Sequence, residues 1–241
     1  MLHKTGGIVI HSFRYGESGL ISRIYTEEFG LLSFIVHGAG KNRSSRKHNI
    51  FQPLNIIEVV FNYKNTGNLQ NLREIRLVNQ HSGIPFNIIK SSIALFIAEV
   101  LKGCLKEQEK NPELFKFLIK SIKQLDNAIE TPSGFHLVFM MELSAYLGFY
   151  PRDNYDENHN RFDLKEGVYQ HNSYVGAYCL IPEESNSFNL LQNTKLDDAA
   201  LLKHPSAQRK MLLNKLIEFY RLHVVGFKEL VSPKILEEVL H

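Results

Sequence analysis

Leu20-Ile21-Ser22-Arg23-Ile24-Tyr25-Thr26 alternates with a period of two: Leu20, Ser22, Ile24 and Thr26 fall on one side, Ile21, Arg23 and Tyr25 on the other. That period belongs to a strand with two unlike faces. Corners close it at both ends, Tyr15-Gly16-Glu17-Ser18-Gly19 before it and Glu28-Phe29-Gly30 after it. Working outward, Gly7 to Phe13 supplies a preceding strand, rich in β-branched and aromatic residues, and Leu31 to His37 a short apolar one. Pro53 to Tyr63 reads as the fourth strand, Asn65-Thr66-Gly67-Asn68 as its turn, and Leu69 to Val78 as the fifth. Five strands in about 80 residues, with glycine corners, predict a small closed sheet, for which a partly open Greek-key barrel of the OB type is the leading candidate.

From Pro85 the period lengthens. Ile89, Ile93, Phe96, Ile97, Val100, Leu101, Cys104 and Leu105 recur at helical spacing and form one apolar face. Asn111-Pro112-Glu113 starts a second helix, with proline at its first position, carrying Phe115, Leu118, Ile119, Ile122 and Leu125. Thr131-Pro132 opens a third, with Phe135, Phe139, Leu143, Tyr146 and Leu147, stopped at Gly148. A fourth is expected from about Ser206 to Phe227, with Leu212, Leu216, Phe219, Tyr220 and Val224 inward. Between the third and fourth, residues 150–193 show no sustained period and are too long for an ordinary bundle connection. The expected organisation is α+β in two modules, a β-barrel domain over 1–80 and a helical domain over 81–241, with the boundary near His81-Ser82-Gly83.

The chain has 241 residues, 44% hydrophobic and 22% charged, a balance that suits packed cores rather than disorder. No run of about 18 apolar residues suggests a membrane span, and Met1 to Gly7 lacks the apolar core of a signal peptide. Cys104 and Cys179 are the two cysteines, too few and too far apart for a disulfide framework or a four-cysteine zinc site, which fits a reducing cytoplasm.

The net charge of +3 is unevenly spread: residues 1–80 hold ten Lys and Arg against five Asp and Glu, a balance of +5, and the remainder carries −2. The excess concentrates in Gly38-Ala39-Gly40-Lys41-Asn42-Arg43-Ser44-Ser45-Arg46-Lys47-His48, where four cations fall within seven residues and no carboxylate intervenes. A basic loop between strands suits a polyanion better than a small substrate, although single surface lysines serve solubility alone. Arg14, Arg23, Arg73 and Arg76 lie on strands whose alternation could turn them to the loop's side. The candidate nucleic-acid-binding set is therefore Arg14, Arg23, Lys41, Arg43, Arg46, Lys47, Arg73 and Arg76, holding phosphates without reading sequence.

Binding of single strands also calls for exposed rings. Tyr15, Tyr25, Phe34 and Tyr63 are the barrel's candidates; Phe34 reads as core, while Tyr15 in a turn and Tyr63 beside Lys64 remain open. Catalytic readings find no footing. The eleven histidines form no His-Glu-x-x-His spacing, Gly38-Ala39-Gly40-Lys41 is only half of a phosphate loop, and no Gly-x-Ser-x-Gly elbow occurs. His159, His171 and Cys179, with Asp153, Asp156 and Asp163 nearby, read as a hydrated polar stretch before they read as a metal site. The helical module offers an alternative, a protein-interaction scaffold whose groove accepts a partner's tail, with Lys116, Lys120 and Lys123 on one stripe.

The order of several segments resembles the N-terminus of the RecO family of bacterial recombination mediators: Gly7-Ile8-Val9-Ile10, Tyr15-Gly16-Glu17, Tyr25 through Leu32, His37 through Lys41 leading to Ser45-Arg46, Gln52-Pro53-Leu54, and Asn68-Leu69 to Arg73-Glu74. Leu147 through Pro151 and Phe162-Asp163-Leu164 with Gly167 extend the likeness more loosely. The resemblance implies an N-terminal OB fold, a helical C-terminal domain, and a non-enzymatic protein of the bacterial cytoplasm. It implies binding to single- and double-stranded DNA, strand annealing, and help to RecA in replacing single-stranded-DNA-binding protein. RecR and the acidic C-terminal tail of that binding protein are the implied partners. Many members carry a four-cysteine zinc site after the position of Pro151; here Asp153 to Asn158 contains no cysteine and Cys179 stands alone, so no cofactor is expected and packing or hydrogen bonding must hold that segment.

Overall fold

Leu2–Tyr15 forms one long strand, β1, which pairs with two neighbours. Its first half, Leu2 to Ile8, runs antiparallel to Asn62 back to Ile56; its second half, from Gly7 to Tyr15, runs antiparallel to β2 (Gly19–Thr26). The sharing of β1 between partners closes the sheet. β3 (Gly30–Val36) pairs antiparallel with β2, β4 (Ile56–Asn62) with β5 (Leu69–Leu77), and a short parallel stretch joins β3 to β5. The order β1-β2-β3-β5-β4, returning to β1, is the five-stranded barrel that the alternation predicts. This computed structural model describes residues 1–16, 19–36, 49–64, 69–106, 109–202 and 204–240.

Val9, Ile24, Leu32, Phe34, Ile57, Val59 and Phe61 fill the barrel. Each buried side chain of this size stabilises the fold by about 1.5–3 kcal/mol. The strand expected to begin at Pro53 begins at Ile56, because Leu54 takes a left-handed backbone (φ 64°). That conformation is costly for leucine, and hydrogen bonds hold it on both sides. The Leu54 N–H donates to the Val9 carbonyl at 2.7 Å, and Nε2 of buried His81 lies 3.1 Å from the Leu54 carbonyl.

The chain divides into two compact units, Met1–Ala128 and Ile129–His241. The first holds the barrel with α1 (Ile88–Cys104) and α2 (Pro112–Asn127). Asn87 and Asn111 cap the two helices through their side-chain oxygens, and Pro112 occupies the first turn of α2. Phe115 of α2 brings its ring within 6.3 Å of Tyr25, so the outward side chain of a barrel strand is buried under a helix.

In the second unit, α3 (Phe135–Tyr146) starts after a turn at Pro132 rather than at it, and Gly148 (φ 84°) follows its end. The stretch expected to be irregular contains a hairpin, β6 (Arg161–Asp163) with β7 (Val168–Gln170), and then α4 (Pro182–Gln192). α5 (Ser206–His223) stops short of Phe227, since Val224 is extended and Gly226 takes φ 68°. A final helix, α6 (Ser232–Val239), follows.

Candidate nucleic-acid interface

Strand register assembles two rows of outward side chains across four strands. His11 of β1 faces Arg23 of β2, Arg23 faces Ser33 of β3, and Ser33 faces Leu69 of β5. Two residues further along, Phe13 faces Ile21, Ile21 faces Ile35, and Ile35 faces Asn71. Alternate residues of a strand are about 7 Å apart, so a polar, cationic row runs beside a largely apolar one. The next row back, Ile8, Tyr25 and Leu31, is buried. The two front rows are open to solvent: Phe13 and Leu69 are each 43% exposed, Asn71 is exposed, and His11, Ile21, Arg23, Ser33 and Ile35 are half-buried.

Both strand bulges lie at this surface's edges. Ile10 is unpaired between Val9 and His11, and Arg73 is unpaired between Leu72 and Glu74. Bulges re-aim side chains and strengthen local twist. Here one lets His11, rather than Ile10, stand opposite Arg23.

The strand arginines expected to share a face divide between two. Arg23 belongs to the polar row, and exposed Arg14 lies beyond it, opposite inward Leu20 at the end of β1. Arg73 is exposed at the bulge of β5. Arg76 lies on the β4–β5 side, directly opposite Glu58, and its guanidinium forks onto that carboxylate through Nε to Oε1 at 2.6 Å and Nη2 to Oε2 at 3.1 Å. Glu58 also binds Lys4 at 3.1 Å. The Arg76 hydrogen bonds, followed by those from Lys4, hold the Glu58 carboxyl below its ordinary value. Among the described residues, Arg14, Arg23 and Arg73 take part in no ion pair. Lys41, Arg43, Arg46 and Lys47 lie outside the described residues; β3 ends at Val36, beside the apolar row, and the description resumes at Asn49.

Sequence reasoning overlooked Phe13 and Lys102. Phe13 belongs to the strand pattern, and nothing in the alternation marks it as exposed. Lys102 lies near the end of α1, distant in sequence, yet its charge bears on His11. Of the aromatic candidates, Tyr15 is 53% exposed and Phe34 is core. Tyr63 is half-buried and stacks on Phe29, with ring centroids 4.9 Å apart. Tyr25 is buried, and that burial pushes its hydroxyl up to about 12.

A groove of about 850 Å³ opens elsewhere in the first unit, between the segment before β4 and the start of α1. Ile50, Pro53, Leu77, Ile84, Phe86 and Leu95 line it, and among the described residues its walls include no Lys, Arg, Asp or Glu. The lysine stripe of α2 is exposed, with Lys116 engaged by Glu113 at 2.9 Å.

The segment after Pro151 does not fit zinc. His159 Nδ1 lies 3.0 Å from Asp156, His171 Nδ1 lies 2.8 Å from the Ser173 hydroxyl, and no group of three or more His, Cys, Asp or Glu among the described residues is placed to hold a metal ion. Aromatic packing occupies its interior. Phe162 stacks on Phe188 at 4.5 Å and meets Tyr169 at 4.9 Å and Phe219 at 5.8 Å. The Phe162 N–H donates to the Ser185 hydroxyl at 2.9 Å, and Asn154 exchanges two hydrogen bonds with the Tyr169 backbone.

No helix among the described residues is long and apolar enough to cross a membrane. Residues 1–81 match the family described as Recombination protein O N terminal, and residues 85–230 match Recombination protein O C terminal. The chain is 37% identical to the DNA repair protein RecO of Flavobacterium johnsoniae and 35% identical to that of Flavobacterium psychrophilum, over 98% of each chain. It is 35% identical to that of Phocaeicola vulgatus over 99% of each chain. With both family regions matched in order, and with the barrel and helical region laid out accordingly, the chain belongs to the RecO family of DNA repair proteins.

Proposed function

We propose that the protein binds DNA across the outer face of β1, β2, β3 and the start of β5, anneals complementary strands, and, together with RecR, helps load RecA onto single strands coated by single-stranded-DNA-binding protein. The pairing of the two rows carries this reading. A single strand laid across the barrel would set its phosphates along His11, Arg23 and Ser33 and its bases along Phe13, Ile21 and Ile35. Strands 2 and 3 form the face by which OB barrels commonly hold oligonucleotides, and aromatic stacking beside a cationic track is the general means of binding single strands without sequence preference. Arg14 at the end of β1 and Arg73 at the bulge of β5 would add cations beside this track, and the basic stretch from Lys41 to Lys47 is proposed to supply further phosphate contacts. Annealing would follow from screening the repulsion between two strands held close together. No bond is broken in this scheme, so it calls for no nucleophile, metal or nucleotide cofactor, and its setting is the bacterial cytoplasm at the nucleoid. RecR and the acidic tail of the single-stranded-DNA-binding protein are the proposed protein partners, by family likeness.

Anisotropy of a labelled single strand across a salt series tests the reading. Neutralising about five phosphates at a slope of about −0.7 each weakens binding about a hundredfold for a fourfold rise in salt. Alanine at Lys41, Arg43, Arg46 and Lys47 together should flatten the slope and weaken binding sharply with the fold intact. A shallow wild-type slope with weak affinity would instead favour a scaffold acting through its apolar groove.

A further inference from the structure

We infer that His11, Arg23 and Lys102 together form one phosphate seat, at which DNA binding is coupled to the uptake of a proton by the His11 imidazole. This rests on the proposed DNA path and adds a residue from α1 and a proton to it. His11 and Arg23 are directly opposed on neighbouring strands, where side chains lie about 5 Å apart and like charges repel. Lys102 adds a second positive charge from α1, and among the described residues none of the three is in an ion pair with a carboxylate. Phe13 lies against the imidazole, with centroids 5.8 Å apart and planes at 28°. His11 and Arg23 thus meet at the polar row beside an exposed ring, and α1, which packs against β1, carries the Lys102 charge that bears on the imidazole.

Free of ligand, the imidazole holds a proton less readily than an exposed one. Half-burial, then the charges of Lys102 and Arg23, push His11 below its ordinary value, and among the described residues those two cations are the charged groups that bear on it. A phosphate seated between Arg23 and Lys102 reverses the sign of that local field. The ring then takes a proton from solvent and donates an N–H to a phosphate oxygen, becoming a third cation where two stood. Thermodynamic linkage requires that binding which takes up a proton strengthens as pH falls.

The test uses the full chain and a labelled thymine-only strand, which has no group titrating between pH 6 and pH 8, at constant ionic strength. The wild type should bind about fivefold more tightly at pH 6 than at pH 8. In His11→Gln, which keeps a polar side chain and gains no charge, the ratio should fall toward one. Lys102→Gln should reduce the salt slope at pH 8 by about 0.7, and Lys102→Arg should restore it. A His11→Gln ratio equal to that of the wild type, or a Lys102→Gln slope that does not change, overturns the inference while leaving the DNA path standing. Absence of wild-type binding overturns both. If His11→Gln loses its thermal transition, a wild-type ratio near one still overturns the proton uptake, and the lysine variants still decide the seat.

Discussion

Arg76 spends its guanidinium on Glu58: the two residues stand opposite each other on β5 and β4, joined by hydrogen bonds of 2.6 and 3.1 Å. A phosphate must break that fork to use Arg76, whereas Arg23 offers its charge without first losing a partner. Arg76→Ala should therefore change affinity for a single strand by less than about twofold, while Arg23→Ala removes about 0.7 from the salt slope. Glu58→Gln should do the reverse of a charge deletion, releasing both Arg76 and Lys4 and tightening binding at low salt. Parallel salt titrations of the three variants check the ordering, and an Arg76→Ala loss matching that of Arg23→Ala would contradict it.

Phe13 provides the contrasting case, since its ring supplies stacking and no charge. With 43% of its surface exposed, truncation to alanine opens no core cavity. A stacked base contributes about 1–3 kcal/mol, so Phe13→Ala should weaken single-strand binding by between about fivefold and about 150-fold. The salt slope should stay as in the wild type. A changed slope with unchanged affinity would place the bases elsewhere.

A third outcome concerns stability and pH. The Asp126 carboxylate accepts the N–H groups of Ser82, Gly83 and Ile84 at 2.9, 2.9 and 2.8 Å, while the ammonium of buried Lys90 donates to the Asp126 backbone carbonyl at 2.7 Å. A side chain at Gly83 would collide with that carbonyl, so only glycine lets the turn approach so closely. Burial pushes the Asp126 acid up, but the three N–H groups and the facing His81 outweigh it and hold the carboxyl below the ordinary 3.8. A folded value below the unfolded one means that the unfolded chain binds more protons, so this contribution is complete above about pH 4 and fades as pH falls through the folded value. Asp126→Asn should cost about 2–4 kcal/mol near neutrality. The gap between variant and wild type should narrow in urea melts below about pH 4; a gap constant with pH would deny the carboxylate its role.

The barrel was legible because its strands carry a two-residue period over continuous stretches, most cleanly from Leu20 to Thr26, α1 because of its long apolar stripe, and α2 because Asn111-Pro112 precedes another. α4 was not, since Pro182–Gln192 buries chiefly Phe188 and Leu191 among polar residues, too few turns to establish a period. The three-residue strands β6 and β7 are shorter than any alternation can reveal. At the interface, positive charge was visible in the chain, but the rows were not. They arise from register, which brings Arg23 between His11 and Ser33 and sets Phe13, Ile21 and Ile35 in line. The bulge at Ile10 shifts that register by one residue, and the arrival of Lys102 depends on tertiary packing; neither leaves a mark in composition or spacing.

Aromatic rings fill the interior of the segment after Pro151, where the resemblance would have placed zinc. Phe188 is fully buried, stacked on Phe162 and edge-on to Phe219 at 6.0 Å, so the aromatic cluster ties β6, α4 and α5 together. Phe188→Ala should destabilise the second unit by about 3–5 kcal/mol through lost burial and the cavity left behind. Wild-type protein treated with a strong chelator should keep its melting temperature, because the hairpin is held by packed rings and hydrogen bonds rather than by a metal. Calorimetry with and without chelator, beside the Phe188→Ala melt, measures both. A chelator-induced drop comparable to that of the alanine variant would show that a metal contributes to the fold after all.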